Sequence, residues 1–296
     1  MTATTTSFDQ KARGDVSTSY AAAPTSTITV NGVDFAYREL GPATGIPVIF
    51  LTHLAAVLDN WDPRVVDGIA MQHRVIAFDN RGVGASGGST PATIEAMAHD
   101  AVAFIRALGL ERVDLLGFSM GGMIAQLIAA HEPQLVRKVI LAGTGPAGGE
   151  GITKVTRLSH FDTLRGLFSL QDPKQFLFFT RTPAGRRVGK EFLTRLKERT
   201  QHRDKRISLR SYGAQLKAVH RWGQQSPADL SAIHQPVLVA NGETDRMVPT
   251  SNSVDLARRL PNAELVIYPD AGHGGIFQFH EHFVERALAF LGTGQS

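Results

Sequence analysis

The stretch Val113-Asp-Leu-Leu-Gly-Phe-Ser119-Met-Gly-Gly-Met-Ile-Ala125 decides how the rest of the chain is read. Its first half is a short apolar run. Its second half, rich in Ala, Ile and Met, continues to Ala130 and stops before Pro133. Gly117-x-Ser119-x-Gly121 sits at the joint; in a chain with 29 glycines that spacing alone is a weak signal. Between a strand and a helix, however, it predicts a sharp turn that projects the Ser119 hydroxyl from a strand end, with Gly117 and Gly121 leaving room where side chains would collide. The plainer reading of the same residues is a serine in a glycine-rich strand-to-helix turn.

On either side of this joint, short apolar runs bounded by turn residues predict strands over Pro47–Leu51, Arg74–Phe78, Val113–Leu116, Val139–Ala142, Pro236–Ala240 and Glu264–Tyr268. Continuous apolar strands fit a parallel sheet covered on both faces. Ahead of them, Thr27–Val30 and Val33–Glu39 flank Asn31-Gly32, a strong hairpin signal. Helical patterns over Thr93–Leu108, Met120–Ala130, Ser251–Leu260 and Phe277–Leu291 alternate with the strands, which makes the class α/β. From about Gly151 to Gln225 the alternation breaks into helical patterns alone. A helical insertion there would cover the carboxyl edge of the sheet, where open α/β sheets bind ligands.

Serine is a poor nucleophile without a base. His273, in Asp270-Ala-Gly-His273-Gly-Gly after the last predicted strand, is placed to reach the turn. The imidazole needs an acid to hold its tautomer. Asp245 and Glu243 in Asn241-Gly-Glu-Thr-Asp245-Arg-Met-Val-Pro249 both compete for that role, with Asp270 third.

With these residues in place, the chain resembles the α/β-hydrolase superfamily over roughly Thr27 to Leu291. The family's D-x-R-G-x-G-x-S turn is matched by Asp79, Arg81, Gly82, Gly84 and Ser86, and its G-x-x-D-x-x-x-P acid loop by Gly242, Asp245 and Pro249. The second match favours Asp245 over Glu243. The resemblance implies an α/β-hydrolase fold, a mostly parallel central sheet flanked by helices, with a helical cap between the sixth and seventh core strands. It implies a Ser119–Asp245–His273 triad. The family's His-Gly oxyanion motif, placed by its distance from Trp61, falls on Thr52 and His53. The backbone N–H groups of Leu54 and Met120 are then the expected oxyanion donors, with Ala55 as the fallback for Leu54. His53 stands where the family has glycine, so its imidazole must point into the pocket or pack under the cap. Phe176 and Phe179, with Phe178, are candidates for cap core or for the lining of an acyl pocket.

Several signals lead elsewhere and are set aside. Gly82-Val-Gly-Ala-Ser-Gly87 and Gly143-Thr-Gly-Pro-Ala-Gly148 spell G-x-G-x-x-G, but neither opens a helix, so no dinucleotide site is expected. His280 and His282 lie two apart on a predicted helix and face different directions, so they make no metal pair. Cysteine is absent, which removes thiolate and Cys-rich zinc chemistry. No organic cofactor or metal is expected. The formal net charge is +4, but Arg181–Arg210 holds eleven Lys/Arg against three acids. That segment reads first as a solvated helical face and second as an attractor of anionic substrates. No recognisable nucleic-acid module accompanies it. No secretory signal and no membrane-length apolar run are read, so the expected location is cytoplasmic.

The organisation expected is a flexible arm over 1–25, a core over 26–150 and 226–296, and a cap over 151–225. The expected activity is cleavage of an ester, lactone or thioester of a small-molecule acyl substrate. Carbon–carbon bond hydrolysis, cofactor-free perhydrolysis and a ligand-receptor role on the same fold remain alternatives.

Overall fold

The computed structural model describes residues 19–169 and 171–293. Asn31 and Gly32 both take positive φ, 51° and 77°, which is the turn geometry that Asn-Gly favours. They link β1 (Ser26–Val30) to β2 (Val33–Leu40). The chain then alternates through β3 (Val48–Leu51), α1 (Pro63–Ala70), β4 (Val75–Phe78), α2 (Ile94–Ala107), β5 (Val113–Phe118), α3 (Met120–His131) and β6 (Val136–Ala142). After β6 it runs through helices only: α4 (Val155–Ser169), α5 (Lys174–Phe178), α6 (Pro183–Arg195) and α7 (Leu209–Gln224). The alternation resumes with β7 (Val237–Gly242), α8 (Thr250–Arg259), β8 (Ala263–Tyr268), α9 (Gly275–Gln278) and α10 (His280–Gly292).

Eight strands form one sheet in the order β1-β2-β4-β3-β5-β6-β7-β8. β1 and β2 pair antiparallel and the strands from β4 to β8 pair parallel. Successive residues of each parallel strand face opposite sides, so each strand feeds two apolar layers. Ile49, Leu51, Leu115, Val139 and Val239 pack in one layer with α2 and α3. Val48, Phe50, Leu116, Ile140 and Leu238 pack in the other with α1 and α10. The direction of winding reverses between β3 and β5, so the loops that leave these two strands diverge at a switch point, the usual ligand crevice of such sheets.

The helices between β6 and β7 are held to the sheet by buried ion pairs. Arg195 of α6 grips Asp62, the cap of α1, through its Nε (2.9 Å) and Nη2 (2.6 Å). Arg38 of β2 pairs with Asp59 and Asp204, each at 2.8 Å. The amides of Asp59 and Asp204 also donate to each other's carboxylates, at 2.8 and 2.9 Å. Removing one partner of such a set strands an uncompensated buried charge, which typically costs about 3–5 kcal/mol.

Three expectations change. The arm over 1–25 lies outside the described residues as far as residue 18, but from Ser19 it is docked: Tyr20 is buried, its N–H donates to Asp67 and its hydroxyl to the Leu58 carbonyl. Arg199 also holds the Ala21 and Ala23 carbonyls, so Ala21–Ala23 cannot be free. Helix α1 was not expected; only Asp62-Pro63 announces it, with Asp62 capping the Arg64 amide and Pro63 at the first helical position. The single helix expected over Phe277–Leu291 is two, broken at Phe279 (φ −111°, ψ 42°). No helix among the described residues is long and apolar enough to cross a membrane.

Candidate active site

Ser119 occupies the turn between β5 and α3 with φ 56° and ψ −116°, a strained conformation for a residue with a Cβ. The sheet and the helix hold it from both sides. Its N–H donates to the Ala142 carbonyl of β6 (2.8 Å), and its carbonyl accepts from Gly122 and Met123 (2.9 and 3.3 Å). A Cβ at Gly121 would overlap the Leu51 carbonyl, and one at Gly117 would overlap the Gly121 carbonyl. Both glycines are therefore required by close backbone approach, and the serine side chain ends at the carboxyl edge of the sheet.

His273 lies in the loop after β8, and its Nδ1 is 2.7 Å from Asp245 Oδ2. The carboxylate can only accept, so Nδ1 carries the proton and Nε2 presents a lone pair. The other oxygen of Asp245 accepts from the Met247 and Val248 amides (2.8 and 3.0 Å), which fixes the carboxylate in one orientation. All three side chains are buried, and Ser119 and His273 border one cavity of about 870 Å³. The competing acids are elsewhere. Glu243 is exposed and accepts from the Asp270 amide (3.2 Å), while Asp270 accepts from the Thr182 hydroxyl (2.8 Å).

The loop after β3 faces this pair across the cavity. Thr52 accepts from Asn80 (3.1 Å), which ties the loop to the one after β4. Asp79 accepts from the amides of Leu58 and Ala85, so the D-x-R-G-x-G-x-S turn braces the same loop. Ala55 has φ 65°, and its N–H is taken by Gln215 Oε1 of α7 at 2.8 Å, which removes it as an oxyanion donor. Among the described residues the amides of Leu54 and Met120 have no acceptor within the protein. Gln215, fully buried, was not foreseen; a polar residue on the inward face of an amphipathic helix was the only signal for it.

His53 packs edge-on against Phe118 and Phe178, with ring centroids 5.4 and 5.2 Å away. Its Nδ1 lies 2.8 Å from the Leu54 carbonyl, so Nδ1 donates and Nε2 is a buried lone pair without a partner. Burial, with the nearby charge of Lys174, pulls this imidazole down to about 3. Below the ordinary imidazole value the unfolded chain therefore takes up a proton that the folded chain refuses. Folding stability falls as pH drops from about 6.5 toward 3, by up to about 1.4 kcal/mol per pH unit. His53→Gln is expected to flatten that slope, measured by urea unfolding at pH 5 and pH 7, and to keep most of kcat. Unchanged slopes would mean that His53 is charged in the folded protein.

Apolar side chains line part of the cavity, with Val155, Leu177, Phe178, Leu193, Val219 and Met247 among them. Of the aromatic candidates, only Phe178 reaches it. Phe176 is half-buried, with the Arg165 guanidinium 4.1 Å from its ring, and Phe179 packs on Phe192 at 5.4 Å. Side chains on a helix advance about 100° per residue, so Phe176 and Phe178 on α5 cannot share one face, and Phe179 follows the helix in extended backbone. The loop that carries His273 is clamped by the same helix: the Gly274 amide donates to the Phe178 carbonyl (2.8 Å). Among the described residues no group of His, Asp and Glu is arranged to hold a metal ion.

The sheet order, the turn at Ser119 and the loop positions define a known architecture, and comparison with known proteins agrees. Residues 46–279 match the family model for the alpha/beta hydrolase fold, and the chain belongs to that family. It is 28% identical over 276 residues to a non-heme chloroperoxidase of Streptomyces lividans, covering 89% of this chain and 98% of that one. Among solved structures, an alpha/beta hydrolase fold protein from Chitinophaga pinensis superposes with a TM-score of 0.88 at 41% identity, covering 93% of this chain and 99% of that one. A protein described as an N-acyl homoserine lactone degrading enzyme superposes with a TM-score of 0.71 at 26% identity, covering 90% of this chain and all of the other.

Proposed function

We propose that the protein is a serine hydrolase acting on a carboxylic ester, lactone or thioester, with Ser119, His273 and Asp245 as its triad. The observation that carries this reading is the buried 2.7 Å bond between His273 and Asp245, beside a cavity that Ser119 also borders. His273 Nε2 takes the proton as Ser119 Oγ attacks the acyl carbon, and Asp245 stabilises the imidazolium. The carbonyl oxygen becomes an oxyanion that accepts from the Leu54 and Met120 amides. Collapse expels the alcohol or thiol, to which His273 returns the proton. Water, deprotonated by His273, then attacks the acyl-enzyme and releases the acid.

A panel of esters, lactones and thioesters, with the Ser119→Ala protein as blank, tests this. Multiple turnovers above the blank are expected for at least one class. Binding without turnover across the panel would replace the hydrolase with a ligand receptor. The likeness to a non-heme chloroperoxidase favours a second reading, in which hydrogen peroxide resolves the acyl-enzyme to a peracid. Peracid formation from the best ester with added peroxide, absent in Ser119→Ala, tests that branch.

A further inference from the structure

The cavity is lined by both apolar and charged side chains, and among the charged ones Lys197 and Arg206 are exposed, which puts them at its mouth. Asp59, Asp172 and Asp204 border it, as do Lys174, Lys197, Arg203 and Arg206. Each carboxylate is already engaged. Asp59 and Asp204 share Arg38, Asp59 also meets Arg203 at 3.4 Å, and Asp172 lies 3.5 Å from Lys174. Lys197 and Arg206 have no carboxylate partner among the described residues. The uncommitted charges of the mouth are thus both positive. Low-dielectric walls focus such a field into a cleft instead of letting water dissipate it.

We propose that this cavity takes an acyl group ending in a second carboxylate, which Lys197 and Arg206 receive at the mouth while the ester carbon lies at Ser119. The apolar lining residues, Val155, Leu177 and Leu193 among them, suit the methylene chain between the two ends. The proposal rests on the serine-hydrolase reading. It separates the eleven cations of Arg181–Arg210 by role: Lys197 and Arg206 serve the substrate, whereas Arg186 and Arg187 lie on the exposed face of α6 away from the cavity.

The test compares kcat/KM for the mono-4-nitrophenyl ester of glutaric acid with that for 4-nitrophenyl valerate, a neutral ester of equal chain length. The native enzyme should prefer the anionic ester by about tenfold or more at low ionic strength, and the preference should shrink in 0.5 M salt, about the concentration at which screening reaches a few ångströms. Lys197→Gln/Arg206→Gln should bring the ratio of the two esters close to one, mainly through KM. Arg186→Gln/Arg187→Gln removes the same charge and should leave the ratio as it was. No preference in the native enzyme, or equal shifts in both double variants, would overturn the proposal. Glutarate binding to Ser119→Ala, read by calorimetry, separates the two layers. Binding that weakens with Lys197→Gln/Arg206→Gln upholds the subsite even if neither ester turns over, which would count against the hydrolase reading alone. If neither ester turns over, absence of glutarate binding defeats the subsite.

Discussion

Ser119→Ala and His273→Ala are each expected to lower kcat by roughly four to six orders of magnitude, and the double variant to be little worse than either single one. In the proposed mechanism the two residues act in a single proton transfer, so once one is gone the other has nothing to do. What remains is the contribution of the oxyanion donors and of binding. Neither change should unfold the protein. Alanine keeps the Cβ that Ser119 already carries at φ 56°, and the turn is held by backbone bonds to Ala142, Gly122 and Met123. Single-turnover and steady-state rates on the best ester, with near-ultraviolet circular dichroism as the fold control, decide the matter. A fluorophosphonate should label the native enzyme at Ser119 and not label Ser119→Ala. Multiplicative losses in the double variant would mean that the two residues work independently.

Asp245→Asn should lower kcat by about 10³–10⁴, whereas Glu243→Gln should stay within about twofold of the native enzyme. The reason lies in how Asp245 is held. One of its oxygens accepts two amides, from Met247 and Val248, so an asparagine must keep its oxygen there. Its NH₂ group then faces His273 Nδ1, which must become an acceptor, and the ring proton moves to Nε2. A protonated, neutral Nε2 cannot take the serine proton. Glu243 has no such role: it is exposed, and glutamine still offers an oxygen to the Asp270 amide. Similar kinetic losses for the two variants would reverse the assignment.

The parts of this arrangement that depend on local backbone chemistry were legible in the sequence. Gly117 and Gly121 mark the turn because a Cβ there meets backbone. The parallel strands β3 to β7 announce themselves as apolar runs because both faces are buried, and Asn31-Gly32 announces a turn with two positive φ angles. The parts that depend on distant packing were not. Gln215 reaches Ala55 across 160 residues, and nothing near Ala55 signals that its amide is taken. Phe176 and Phe178 differ in role only by the rotation of a five-residue helix, and Phe179 lies just past its end in extended backbone, details that no short sequence window fixes. Tyr20 sits in a stretch of small polar residues and is anchored only because Asp67 and Leu58 come to meet it.

The helices between β6 and β7 touch both halves of the candidate site, through Gln215 at the Ala55 loop and through Phe178 at the His273 loop. This bears on how such an enzyme can be re-engineered or can diverge. A chimera that exchanged residues 151–225 for the corresponding part of a relative would import new cavity walls. It would also discard the acceptor that holds Ala55 and the carbonyl that holds Gly274. Under the proposed mechanism selectivity and rate are therefore inherited together. A productive graft must carry an acceptor at the position of Gln215 and an α5 whose last carbonyl meets the histidine loop.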